Sequence, residues 1–361
     1  MNIGILTFHY AHNYGAMLQA YALLTLLREW GHDARLIDYR SPFIDYIYQK
    51  YSFRQLYSMF YQYNGPAVSL IRALAKYRGQ DRKISSERWR RFETFSTEYL
   101  PKTERVTDIA SSHITDGMDA IICGSDQIWN KRIAKKSMPV FFCNGFGNSC
   151  RKIAYAASAG DGSIAAKDTA GFVRLCSNMD SISVREEALA GFLRTNGIEC
   201  SVVLDPVFMI GKDGWSRIAI MPEKQGYILT YSFGLPEVYF QMAREKAAQT
   251  GREVVTLPSD CGPREFLGYF LNASLIVTNS FHGTAFSILL GKQFLTFLPR
   301  YGVERITSML TMTGLSGRVI TPDSDPGAIP DTDFTYAASR IEEMRTASVN
   351  FLQTALNKPV R

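Results

Sequence analysis

The chain has 361 residues, 46% of them apolar and 20% charged, which excludes disordered and fibrous proteins and exceeds the usual size of one hydrophobic core, so two domains are expected. A formal charge of +6 favours anionic small molecules or an anionic membrane surface, and no nucleic-acid-binding signature accompanies it. Six dispersed cysteines without a C-x-x-C pair argue against a zinc knuckle, a redox motif or a disulfide framework, and with no basic leader and no membrane-length apolar run the expected location is cytoplasmic.

Ile3 to Phe8 reads as a buried strand, followed by the loop His9-Tyr10-Ala11-His12-Asn13-Tyr14-Gly15. From Ala16 to Trp30, Met17, Leu18, Tyr21, Leu24 and Leu27 share one helical face, Gly31 ends the helix, and Ala34 to Asp38 is a second strand. This β-α-β opening lacks G-x-G-x-x-G, which speaks against a dinucleotide site. His9 and His12 could orient a substrate or serve only the loop.

Pro42 to Leu100 breaks the strand-helix alternation. Phe43, Tyr46, Tyr48, Tyr51, Phe53, Tyr57, Phe60, Tyr61 and Tyr63 crowd its first part, and Arg72, Lys76, Arg78, Arg82, Lys83, Arg88, Arg90 and Arg91 its second, against only Asp81 and Glu87. The spacing predicts a mostly helical insertion, with the aromatics as core and the charges as a solvated face. A sharper reading is that it faces a carbohydrate or lipid-linked substrate, rings under sugar faces and basic residues toward anionic headgroups or a diphosphate.

Alternation resumes with a strand from Met118 to Cys123 that runs into Gly124-Ser125-Asp126-Gln127-Ile128-Trp129-Asn130. Asp126 and Gln127 suit a ligand with many hydroxyls and Trp129 could stack on it; the plainer alternative is a turn packed under Trp129. Lys152 to Ala157 and Ser181 to Val184 are further strands. Arg185, at the mouth of the latter, can clamp a carboxylate or phosphate, or pair with Glu186 or Glu187. Ser201 to Leu204 closes the first half at Asp205-Pro206.

In the second half, strands at Tyr227 to Tyr231, Glu253 to Leu257, Ser274 to Thr278 and Gln293 to Phe297 alternate with helices at Pro236 to Gln249, Pro263 to Leu271, Gly283 to Leu290 and near Glu304 to Met312. That order predicts an α/β protein with two successive open parallel sheets. Asn279-Ser280-Phe281-His282 lies between a strand and a helix, where free N–H groups at the positive helix end receive anions and His282 can titrate near neutral pH. The plainer reading has Ser280 as helix cap and His282 as a satisfied first-turn residue. Beyond a linker from Thr321 to Asp333, an amphipathic helix over 334–357 is expected to pack back on the first domain.

Several stretches taken together resemble the polysaccharide pyruvyl transferase family: T-F-H-Y-A-H-N-Y-G-A-M-L-Q-A-Y-A-L, G-S-D-Q-I-W-N, I-A-Y-A-A-S-A-G, S-V-R-E-E, V-V-L-D-P-V-F, and G-P-R-E-F-L through N-S-F-H-G-T-A-F-S-I-L-L-G-K. They follow the family's order from Met1 to Gly314. The resemblance implies a GT-B-like fold of two Rossmann-like domains whose parallel sheets face a central cleft. Residues 1–205 would be the acceptor side, with the helical insertion at about 42–100, and 206–320 the donor side.

It further implies ketal pyruvyl transfer from phosphoenolpyruvate to a sugar hydroxyl pair of a polysaccharide repeat unit or its polyprenyl-diphosphate-linked precursor. The products are a cyclic pyruvate ketal and phosphate, with no metal and no cofactor beyond the phosphoenolpyruvate co-substrate. Work on such an acceptor would bring the protein to the anionic inner face of a membrane.

Matched by position, His282 is the family's catalytic histidine and Arg185 its donor-binding arginine; Ser280, Gly283, Thr284, Lys292 and Arg305 fall on the donor side. His9, His12, Asn13, Tyr14, Ser125, Asp126, Gln127 and Trp129 fall on the acceptor side. Relatives reading S-M-R-L-H have a second arginine two residues before the histidine, where this chain has Ser280. Lys292, Arg300, Arg305 or Lys152 would have to supply that charge, or the donor differs. Two other classes stay open: a glycosyltransferase using a nucleotide sugar on the same fold, and a non-catalytic carbohydrate-binding homologue, favoured by the Ser280 departure.

Overall fold

A computed structural model describes all residues except 42–43, 45–52, 62–64, 84–85, 110–111, 148, 161–167, 235 and 360–361. Six strands form the first sheet: β1 (Asn2–Leu6), β2 (Asp33–Leu36), β3 (Ala120–Cys123), β4 (Arg151–Ala157), β5 (Ser181–Val184) and β6 (Ser201–Val202), in the order β2-β1-β3-β4-β5-β6. The second has β7 (Ile228–Tyr231), β8 (Val254–Thr256), β9 (Leu275–Thr278) and β10 (Gln293–Thr296), in the order β10-β9-β7-β8. Every pairing is parallel. β3 and β9 are short apolar runs buried along their whole length, as parallel strands covered on both faces must be. The result is the GT-B-like α/β plan.

The helix α1 (Tyr14–Glu29) departs from the one-sided pattern read in its sequence, because both of its sides are covered. One side lies on the first sheet. On the other, Tyr14 stacks on Phe266 at 4.6 Å and Tyr21 packs against Trp215, both from the second half. Ala16, Ala20 and Ala22 therefore face protein rather than water.

The insertion is helical where described: α2 (Phe53–Tyr61), α3 (Pro66–Lys83) and α4 (Ser86–Tyr99). Phe43, Tyr46, Tyr48, Tyr51 and Tyr63 lie outside the described residues. For α4 the expectation of a solvated or ligand-facing charged surface fails at Arg88 and Arg91. Arg88 lies 4.5 Å from the Tyr14 ring and 4.6 Å from the Phe92 ring, and donates to the Tyr14 hydroxyl and the Cys261 carbonyl. Arg91 pairs with Glu87 on its own helix and reaches Asp260 and Glu265 of the second half at 3.6 Å. Arg90 pairs with Glu87. Arg88 and Arg91 link the two halves, while Arg90, 68% exposed and paired within its own helix, keeps the solvated face expected of it.

The C-terminal helix (Thr335–Asn357) returns to the first sheet. Ser348 Oγ accepts from the Leu204 N–H, Arg345 donates to the Phe208 carbonyl, and Phe351 lies beside Tyr155. Among the described residues no helix is long and apolar enough to cross a membrane.

Arg88→Ala removes a charge-assisted bond to a carbonyl and two ring contacts at the seam, and should cost about 2 kcal/mol in urea-induced unfolding. A loss under about 0.5 kcal/mol, the level of an ordinary surface substitution, would mean that the seam does not depend on it.

Candidate active site

In a parallel sheet all strands end on one side, and where the strand order reverses the following loops diverge and leave a crevice. The reversals here fall between β1 and β3 and between β7 and β9. The loops after those four strands meet across one cleft of about 620 Å³. Phe8, Ala11 and Asn13 follow β1, Asp126 and Gln127 follow β3, Phe233 follows β7, and Asn279 to His282 follow β9. Pro299, Arg300, Tyr301 and Arg305, after β10, complete the second wall, and Arg132 stands on the first.

Two helices begin at this cleft. Asn13 caps α1, its side chain accepting from the Ala16 N–H, and Ser280 caps the helix Phe281–Leu289, its hydroxyl accepting from the Gly283 N–H at 3.2 Å. Their positive ends point into the same space. They approach so closely that a Cβ built on Gly15 would stand 1.9 Å from His282 Nδ1. Only glycine in α1 leaves room for the imidazole.

Beneath the cleft is a buried charge cluster centred on Asp205, which is 2% exposed. Asp205 Oδ2 accepts from Arg185 Nη1 at 2.6 Å and from Ser125 Oγ at 3.1 Å, and lies 3.8 Å from His282 Nε2; Oδ1 accepts from the Val207 N–H. Burial by itself would raise this carboxyl, but Arg185 and His282 hold it below the ordinary aspartate value. Arg185 also meets Glu186 at 3.3 Å, and burial pushes that carboxyl up. Burial lowers His282 from the ordinary 6.5 against the pull of Asp205, with Arg185 and Arg305 adding to the push.

Arg305 is brought down to about 10 by burial and then by the charge of Arg185. Both guanidiniums rest on the Phe281 ring, at 4.3 Å and 5.6 Å from its centre. Among the described residues, three buried polar atoms here find no hydrogen-bond partner: Arg185 Nη2, Arg305 Nε and His282 Nε2. Buried donors left unmade are costly, so this cluster is built to receive acceptor atoms. A small anion would also relieve the repulsion between the two arginines.

The structure divides the residues singled out in the sequence. His282, Arg185 and Arg305 converge, Ser280 lies beside them as a cap, and Asn13, Asp126 and Gln127 line the opposite wall. Asp126 takes a left-handed backbone, φ 70°, and its carbonyl accepts from the Ser158 N–H.

The others do not reach the cleft. Trp129 is fully buried, stacked on Phe142 and bonded to the Phe141 carbonyl, so it carries the loop from below. Fully buried His9 bonds Asp38 and the Thr7 carbonyl; His12 bonds Glu93 between Trp89 and Phe92. Tyr14 belongs to the seam, and buried Ser125 serves Asp205. Gly283 packs against Thr278 and its N–H is taken by the Ser280 cap, while the buried Thr284 bonds Ser280 and Thr296.

Of the four cations considered for the missing arginine, Lys292 follows the far end of the His282 helix, about 13 Å along it. Lys152 stands at the opposite end of β4 and donates to the Phe146 carbonyl. Arg305 and Arg300 remain, and only Arg305 joins the buried cluster. Asp205, read in the sequence as a boundary, is the residue that reading missed; its signal was its place before proline in V-V-L-D-P-V-F, one of the stretches that carry the family resemblance. Gly15 and Phe281 also lie in stretches that carry the resemblance, but their residue types alone did not point to these contacts.

The chain matches the family model described as polysaccharide pyruvyl transferase over residues 13–300. No curated protein matches it. Among solved structures it is similar to the UDP-GlcNAc 2-epimerase of Methanocaldococcus jannaschii, at 12% identity and a TM-score of 0.45, covering 100% of this chain and 94% of that one. It is also similar to the E. coli heptosyltransferase WaaC, at 10% identity and a TM-score of 0.36, covering 95% and 99%.

Gly15→Ala should displace the His282 ring or part the two helices, and any transfer that depends on that ring should slow by about 10²-fold, the cost of a displacement of about an ångström at a reacting site. Steady-state rates beside circular dichroism check this. Unchanged turnover in a folded variant would show that His282 need not sit on α1.

Proposed function

The chain belongs to the polysaccharide pyruvyl transferase family, and on that premise we propose that this cleft transfers the pyruvyl group of phosphoenolpyruvate to two hydroxyls of a glycan. The observation that carries the donor is the convergence of three unpartnered buried groups, Arg185 Nη2, Arg305 Nε and His282 Nε2, at a helix N-terminus. Phosphoenolpyruvate presents a carboxylate and a phosphate on a three-carbon frame, and two fixed guanidiniums suit these two anionic ends. Arg305 takes the place of the arginine that Ser280 replaces.

The enol phosphate is activated by a proton delivered to its methylene carbon. His282 is the donor of that proton from Nε2, the atom that faces Asp205 at 3.8 Å. Burial disfavours the charged imidazole; an incoming anion raises its proton affinity, so donor binding and charging of the acid are coupled. Asp205 then stabilises the imidazolium.

One acceptor hydroxyl adds to C2, phosphate departs, and the second hydroxyl closes the ketal. Phosphoenolpyruvate and a diol thereby give the ketal carboxylate and hydrogen phosphate. One hydroxyl proton restores the imidazolium and the other leaves on phosphate. Asp126, on the wall opposite His282, is placed to accept a hydroxyl proton. The stacking role expected of Trp129 passes to Phe233 and Tyr301, which are 61% and 62% exposed at the cleft and can lie under a sugar face. We read the acceptor as a repeat unit or its lipid-linked precursor; for the precursor the reaction would lie on the cytoplasmic side of a membrane.

Calorimetric titration with phosphoenolpyruvate should show saturable binding and, across buffers of different ionisation heat, proton uptake near pH 7. Arg305→Gln should weaken binding about tenfold or more, the worth of a charge-assisted contact. His282→Asn should bind the donor, lose the proton uptake and release no phosphate. No binding by wild type, or preferential binding of a nucleotide sugar, would overturn the donor assignment.

The rate should also carry the sign of an acid. Because burial lowers His282 and the protonated form reacts, kcat/KM should fall as pH rises through a value below 6.5, while kcat, set in the donor complex, should hold to higher pH. A kcat/KM that rises through that range would make His282 a base.

A further inference from the structure

The helices α2 and α3 of the insertion pack on each other, and α3 does so with its small residues. Ser69 and Ala73, one helical turn apart, are fully buried, as is Leu56 of α2. The large aliphatic side chains point the other way: Val68, Leu70, Ile71 and Leu74 are 45%, 44%, 67% and 36% exposed. This reverses the usual order of a surface helix, which buries its large apolar groups and shows its small and polar ones. Tyr61, the last residue of α2, is 56% exposed as well. A contiguous aliphatic face of this kind marks a site of interaction.

Charge decides what covers it. From Pro66 to Lys83 the sequence holds five basic residues and Asp81 as its single acid. A second copy of the chain seated here would set the same basic run against itself. An aliphatic face continued by basic sequence matches the boundary between acyl chains and anionic headgroups. We infer that the α2–α3 hairpin docks the protein on an anionic lipid surface, with Val68, Leu70, Ile71 and Leu74 entering the headgroup region. The inference stands apart from the donor assignment and does not need it.

Sedimentation with vesicles tests it directly. The intact protein should pellet with phosphatidylcholine vesicles that contain phosphatidylglycerol, weakly or not at all with phosphatidylcholine alone, and less at high salt. The double substitution I71D/L74D, on exposed side chains, should reduce partitioning about tenfold or more while leaving the melting temperature and phosphoenolpyruvate titration unchanged. Charge reversal at K76E/R78E should have a similar effect by removing the attraction. Wild type that stays in the supernatant with phosphatidylglycerol vesicles, or I71D/L74D that pellets like wild type, overturns the proposal. So does a concentration-dependent dimer that I71D/L74D converts to monomer, since the face would then be a self-interface.

Discussion

A buried carboxylate holds the working end of this protein together. Asp205 stands where the chain leaves the first sheet, and its two oxygens collect Arg185 from the end of β5, Ser125 from the loop after β3, and the N–H of Val207, with His282 of the second half close by. A charge so far from water is tolerated only when paired and hydrogen-bonded on its remaining lone pairs. Every element bearing one of those partners is therefore constrained to meet at one point. The cluster is complete on the acidic side and unfinished on the basic side, and the unfinished side opens to the cleft.

Two further features keep the halves in register around that point. Gly15 lets the first turn of α1 come into contact with the His282 ring, so two positive helix ends share one small volume. The helix α4 spans the seam, with Arg88 among Tyr14, Phe92 and the Cys261 carbonyl and Arg91 beside Asp260 and Glu265. Held this way, His282 and its acidic neighbours sit at fixed separations, which pre-organised electrostatics requires. The insertion thus has two parts: α4 belongs to the interface between halves, and the α2–α3 hairpin stands outside it.

The alternation of short β-branched runs with helical periods was enough to read two parallel sheets, because strands covered on both faces leave a distinctive apolar signature. Catalytic candidates were legible where local pattern and chemistry coincide, as at Asn279 to His282 between strand and helix, and at Arg185. Reading failed where a polar or aromatic side chain could point either way. His9, His12 and Trp129 sit in loops that line the cleft, yet each turns inward to satisfy a buried partner. Loop composition names the groups present; only the direction of each side chain tells whether it serves the ligand or the loop.

The same distinction separates the residues around the anion cluster. Order along the chain was sufficient for the sheet class and for a histidine at a helix start, since both depend on spacing within about ten residues. Choosing Arg305 over Lys152, Lys292 and Arg300, promoting Asp205 from a boundary to the centre of the cluster, and requiring glycine at position 15 all depend on contacts between segments far apart in sequence. Periodicity does not encode such contacts. They arise when two sheets close on one cleft and the cost of burying charge selects which of many possible partners meet.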